Sequence, residues 1–284
     1  MLRALRRLGR RDLSEYQHNR AQARGAHATP QGQGPVRPVP VSQGKRKRSG
    51  GVWRVVFIVS LIVFLCAAGA LAFIGYGYWH GQQNNKQLEQ IGFNAPDASE
   101  LQRTDLASFT VDWDALRAIN PDVVGWIYVP GTTVNFPIVH GTDDEHYLKT
   151  DFYGQTSWVS FGSIFLSAAN AGDFSDANNI VYGHHMNDGS MFSPFADFGD
   201  ADTFNGHRTV YVFTPTANYQ LTTFSIVHCA ADDPLAQTAF ASEQERQAYV
   251  QDKVDRSVVT VAGLPSAADM KHTFAFSTCD NLAS

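Results

Sequence analysis

Thr273-Phe274-Ala275-Phe276-Ser277-Thr278-Cys279, close to the end of the 284-residue chain, decides how the rest is read. Apolar positions alternate, β-branched and aromatic side chains dominate, and two small hydroxyl residues lead to a cysteine. That pattern predicts a short strand with a thiol at its mouth. Asn179-Ile180-Val181-Tyr182-Gly183-His184-His185-Met186 is a second apolar strand, and it ends in histidines. A cysteine and a histidine at two strand ends, remote in sequence, have the layout of a Cys/His nucleophilic pair. A buried structural cysteine is the plainer alternative; the polar neighbours Ser277, Thr278, Asp280 and Asn281 weigh against it.

The surrounding sequence reads mostly as strands. Val123–Val129 ends at the Pro130-Gly131 turn, and Thr133–Val139 follows, its Pro137 pointing to an edge or a bulge. Gly162–Ser167, Asn179–Tyr182 and the hairpin Thr209–Phe213/Tyr219–Val227 come next. Helices are few. Gln87–Ile91 suggests one, Asp112–Ile119 a second stopped by Asn120-Pro121, and Asp143–Leu148 a single turn. Ser242-Glu243-Gln244-Glu245 is a capping box that starts a helix to about Val254. Seven or so short strands with few helices predict a mainly β fold, a closed barrel or sandwich.

Charge divides the chain unevenly. Residues 1–54 carry 13 Lys and Arg against Asp12 and Glu15, net +11, while the remainder is net −16. Between the two lies Val55–Ile74, twenty residues without a charge, long enough to cross a bilayer as a helix. Trp53 precedes it, and Tyr76, Tyr78 and Trp79 follow it, as an interfacial belt does. With Lys45-Arg46-Lys47-Arg48 and Arg54 just before the span, the positive-inside rule puts the N-terminus in the cytoplasm and the rest outside. A signal peptide cleaved near Ala70-Leu71-Ala72 is the alternative, but the basic region and the apolar run are both long for one. The expected organisation is a disordered basic tail over 1–54, a transmembrane helix with aromatic flank over 55–79, a linker with N-terminal helices over 80–119, and a catalytic domain over 120–284. The basic tail lies beside a membrane span, so its expected partner is anionic lipid and not nucleic acid.

Three cysteines, Cys66 in the span and Cys229 and Cys279 beyond it, make no disulfide framework. His228-Cys229 in a strand would point to opposite faces and form no dyad. His140, Asp143, His146, His184 and His185 show no metal-ligand spacing, so neither a metal nor a cofactor is expected. A metal-dependent hydrolase built on these histidines is the weakest of the functional readings.

Several motifs, in order, resemble class B sortases. Asn120-Pro121-Asp122-Val123-Val124-Gly125-Trp126-Ile127, Pro130-Gly131-Thr132 and Phe136-Pro137-Ile138-Val139 resemble that family's first strands. Tyr182-Gly183-His184-His185-Met186 with Gly189-Ser190-Met191-Phe192 looks like its histidine motif, and Phe276-Ser277-Thr278-Cys279 like its cysteine motif. The resemblance covers roughly residues 86–284. It implies a sortase-type closed β-barrel with N-terminal helices and a helix before the cysteine strand, preceded by one transmembrane helix. It implies transpeptidation at a Gram-positive surface: a thiolate cleaves a sorting signal after Thr, and an amine of a peptidoglycan precursor or a pilin resolves the thioester. The partners would be surface proteins bearing that signal. By motif match Cys279 is the nucleophile and His184 the acid/base, with His185 the lesser candidate and Ser277 and Thr278 in supporting positions.

The family also uses an arginine on the strand after the cysteine, and here no arginine follows Arg256. The expectation is therefore a C-terminally truncated catalytic domain that lacks its last barrel strand and its catalytic arginine, with little activity as it stands. Arg208 and Arg246 are the remaining candidates for that role. An inactive sortase-like barrel acting as a binding module is the alternative function.

Overall fold

The computed structural model describes residues 50–93, 96, 100, 108–156, 161–229 and 237–278. The chain divides into two units, Met1–Val55 and Val56–Ser284. Of the first, residues 50–55 are described, and they begin helix α1, Gly50–Gly92. Along α1 the apolar run is exposed on every side, with Phe57 at 67% and Leu65 at 58%. It is one described helix long and apolar enough to cross a membrane, by length and composition. The short helix expected at 87–91 is the last part of this same α1, where Leu88 and Gly92 become buried.

The second unit is built on seven strands: β1 Val123–Tyr128, β2 Asn135–His140, β3 Ile164–Leu166, β4 Asn178–Tyr182, β5 Thr209–Phe213, β6 Asn218–Thr222 and β7 Thr273–Ser277. They form one sheet in the order β6-β5-β1-β2-β3-β4-β7. β2 with β3 and β4 with β7 are parallel, and the other pairs are antiparallel. The two outermost strands approach without pairing: the Tyr219 ring of β6 lies 5.3 Å from the Phe274 ring of β7. The sheet is therefore curled into a half-barrel. Helices α2 Trp113–Ile119, α3 His146–Lys149, α4 Ser193–Asp197, α5 Ala201–Gly206 and α6 Glu243–Asp255 surround it.

Both faces of the sheet are apolar, because the strand period of two sends alternate residues into two cores. Ile127, Ile138, Ile164, Leu166, Val181, Val210 and Val212 fill the concave side with Phe174, Phe192 and Phe198. Trp126, Tyr128, Val139, Phe165, Tyr211 and Phe213 take the other side, against Leu88 near the end of α1, Phe93 just after it and Leu116 of α2. Pro137 does not mark an edge strand, since β2 pairs on both sides; β3 covers only Ile138–His140, so Pro137 stands where that flank is still open. The one register shift in this pair falls in β1, between Val123 and Gly125.

The expected strand through Val227 ends at Thr222. Beyond it, Ile226 bonds to Val258 N and to Ser257 Oγ instead of to a strand. His228 and Cys229 thus lie outside any strand, exposed, and the opposite-faces argument does not apply to them.

Candidate active site

The parallel pairing of β4 with β7 organises the site. Asn178 pairs with Thr273 and the register runs without a shift to Tyr182 with Ser277. Gly183 N then donates to Ser277 O at 3.0 Å. His184 and Thr278 come next on their chains; Cys279 lies outside the described residues.

The turn after β4 is tightly specified. Gly183 is wedged against fully buried side chains: a Cβ there would stand 2.5 Å from Ile164 Cδ1 and 2.7 Å from Phe192. Phe192 N donates to His184 O (2.9 Å), and Met186 N donates to Ser193 Oγ (2.6 Å). His185 forms a bridge with Met191. The backbone that carries His184 is thereby fixed on both sides.

The His184 ring is half-buried, and its Nε2 lies 2.6 Å from the Leu148 carbonyl oxygen. Leu148 belongs to α3, a helix of four residues that cannot stand alone. Asp143 Oδ1 caps it by accepting from Glu145 N (2.9 Å) and His146 N (2.7 Å). Tyr147 OH donates to Asp122 Oδ2 at 2.6 Å, with Asn120 at 3.3 Å. Ser163 N donates to Tyr147 O at 2.9 Å. Gly162, at φ +49°, fits between: a Cβ on it would lie 2.6 Å from Tyr147 O, 2.8 Å from Leu148 O and 3.0 Å from His184 Cδ2.

Two of the supporting candidates carry unsatisfied groups. Thr278 Oγ1 and His185 Nδ1 are buried with no hydrogen-bond partner among the described residues. The Ser277 carbonyl is used in the sheet, and its side chain is half-buried. The two arginine candidates are committed to the scaffold. Arg208 Nε and Nη2 donate to Thr223 O (3.3 and 3.1 Å), and its guanidinium sits 5.8 Å from the centre of the Phe204 ring. Arg246, buried on α6, forms a bidentate pair with Glu243 and donates to Ala267 O, Ala268 O and Met270 O, just before β7. Among the described residues no group of three or more His, Cys, Asp or Glu side chains could hold a metal.

Sequence reasoning missed the Leu148 carbonyl, Gly162 and the Tyr147–Asp122 pair. A backbone carbonyl leaves no side-chain signal. A glycine opening an expected strand does signal close backbone approach, and Gly162 was available on that ground.

Burial first, and then the hydrogen bond to Asp122, push the Tyr147 phenol from an ordinary 10.0 up to about 12. Between those two values the unfolded chain ionises a group that the folded chain keeps protonated. The stability contributed by Tyr147 is full below pH 10 and is lost as pH rises through about 12. Burial shifts Tyr182 and Tyr211 the same way. Denaturation curves of Tyr147→Phe should therefore fall less steeply than wild type above pH 10, and equal slopes would contradict the assignment.

No family model matches the chain. Sortase B of Listeria monocytogenes is 29% identical over 222 residues, covering 76% of this chain and 87% of that protein. Sortase B of Staphylococcus aureus is 31% identical over 147 residues, 52% of this chain and 59% of that protein. The structure of the S. aureus sortase B–substrate complex superimposes with a TM-score of 0.60 at 27% identity, covering 72% of this chain and 90% of the other. Sequence and half-barrel together are those of a sortase-type transpeptidase. Within that class, the proteins the chain resembles are class B sortases.

Proposed function

We propose that the protein is a membrane-anchored transpeptidase that cleaves a C-terminal sorting signal after Thr and transfers the acyl part to a cell-wall amine. The β4–β7 register carries this reading. Tyr182 pairs with Ser277, and two residues beyond each partner come His184 and Cys279, the histidine and the cysteine of the family motifs. That sortase B of S. aureus forms a complex with its substrate supports substrate binding by the same fold here. The apolar run within α1, with Lys45–Arg48 and Arg54 before it and Tyr76, Tyr78 and Trp79 after it, supports a single span with the N-terminus in the cytoplasm.

The chemistry follows from the two groups. Cys279 Sγ, as thiolate, attacks the carbonyl carbon of the Thr, and the electron pair moves onto the carbonyl oxygen. When the intermediate collapses, the C–N bond breaks and protonated His184 gives its proton to the departing amine. The acyl group remains on Cys279 as a thioester. An incoming amine gives a proton to His184 as it attacks, and the thiolate leaves. Thr278 Oγ1, buried and without a hydrogen-bond partner among the described residues, has a hydrogen bond to offer to a substrate that enters.

The test uses the protein expressed from its complete gene, an Asn-Pro-x-Thr-x peptide and an oligoglycine amine. Wild type should form the new amide. Cys279→Ala should fall to background, and His184→Ala should fall by roughly 100-fold or more. Transfer that survives Cys279→Ala, or a wild type that forms no amide, overturns the reading.

A further inference from the structure

Why Nε2 of His184 should face a backbone carbonyl is not explained by the reaction. We infer that α3 is the positioning element of the catalytic histidine. The Leu148 carbonyl holds His184 as its Nε2-protonated tautomer, which makes Nδ1 the nitrogen that exchanges protons with Cys279, and Tyr147 keeps that carbonyl in place. The inference rests on the Cys279/His184 reading above.

A carbonyl oxygen only accepts, so at 2.6 Å the ring must donate through Nε2–H. In the neutral ring Nδ1 is then the sole acceptor. The thiol proton passes from Sγ to Nδ1, giving thiolate and imidazolium. The same Nδ1–H later goes to the leaving nitrogen, and Leu148 O keeps its bond to Nε2–H throughout. A second donor-acceptor pair at the ring thus settles which nitrogen works and how the ring is oriented, as buried carbonyls and carboxylates do for other histidines.

The carbonyl is held from three directions. Tyr147, 3% exposed, ties α3 through its hydroxyl to Asp122 and Asn120 at the start of β1. Asp143 caps the helix start, and Asp144 Oδ1 accepts from Ala168 N (2.6 Å) just past β3. Ser163 N, at the start of the β3 segment, fixes the neighbouring carbonyl of Tyr147. Tyr147 lies one residue from Leu148 and touches no reacting atom; it is a positioning residue.

The test is imidazole 15N spectroscopy on protein labelled at histidine, with His184 assigned by its loss in His184→Gln. The neutral ring should show a protonated Nε2 with a slowly exchanging proton, and an unprotonated Nδ1. Tyr147→Phe should speed that exchange at least severalfold. It should also slow alkylation of Cys279 by a peptide chloromethyl ketone by about tenfold. Asp122→Asn, at an exposed residue and sparing the Tyr147 ring, should act in the same direction, and Tyr211→Phe on β5 should do neither. A ring protonated at Nδ1, or exchange and alkylation unmoved in both Tyr147→Phe and Asp122→Asn, overturns the inference. His184→Ala separates the two claims. If it leaves alkylation unchanged, the dyad reading fails; if it slows alkylation while the tautomer is the other one, only the positioning inference fails.

Discussion

Gly162→Ala should lower Cys279 acylation by roughly 100-fold and stability by about 2–4 kcal/mol. The added methyl meets atoms that cannot move aside. Two of the three close neighbours are the backbone oxygens of Tyr147 and Leu148, at 2.6 and 2.8 Å, and the third is the His184 ring at 3.0 Å. Relief requires α3 to shift, and with it the carbonyl that holds His184 Nε2. The left-handed φ of +49° adds a strain of about 1 kcal/mol. Gly154→Ala is the control: its φ is +75°, but nothing lies within 4 Å of the added carbon. It should cost about 1 kcal/mol and leave acylation unchanged. Equal losses in the two variants, measured by peptide alkylation and urea denaturation, would mean that backbone strain alone matters and that the close packing around His184 does not.

The second large effect is expected at Arg246. Its guanidinium serves Glu243 Oε1 at 2.6 Å and Oε2 at 2.9 Å, and also three carbonyls of residues 267–270, the segment that leads into β7. The hydrogen bonds from Arg246, and then from Gln247, hold the Glu243 carboxyl down to about 2. Arg246→Ala leaves those carbonyls without their donor, while the exposed Glu243 carboxylate is left to water. The loss should be about 2–3 kcal/mol, a fall in Tm of roughly 5–10 °C. Arg246→Lys should recover only part of it, because an ammonium cannot reproduce the planar fork. A Tm change under 2 °C in both, by calorimetry, would contradict this clamp's role.

The strands around the site were legible because their side chains alternate between two cores. β5 is found at Thr209–Phe213 as the sequence reading has it, and the capping box at Ser242 starts α6 with Ser242 Oγ accepting from Glu245 N. The same signal misled at Phe224–Val227. Ile226 packs against the concave core, so the alternation there reports burial and not pairing. At 87–91 the sequence suggested a separate helix because polar residues interrupt the apolar run; α1 continues through them without a break. The histidine could be singled out because it follows a strand end after a glycine, whereas the expected cysteine lies outside the described residues. What orients the histidine could not, since it is a main-chain oxygen contributed by a four-residue helix whose anchors come from Asn120, Asp122 and Ser163. Those contacts are made across long sequence separations and have no local pattern.

The central claim is that Cys279 and His184 act as one nucleophilic unit. Intact-protein mass spectrometry during turnover of a sorting-signal peptide, with no amine acceptor present, tests it most directly. An adduct of the acyl fragment ending in Thr, mapped to Cys279, should form, discharge on addition of oligoglycine, and be absent in His184→Ala on the same time scale. An adduct on another residue, or one that accumulates at an undiminished rate without His184, would contradict it.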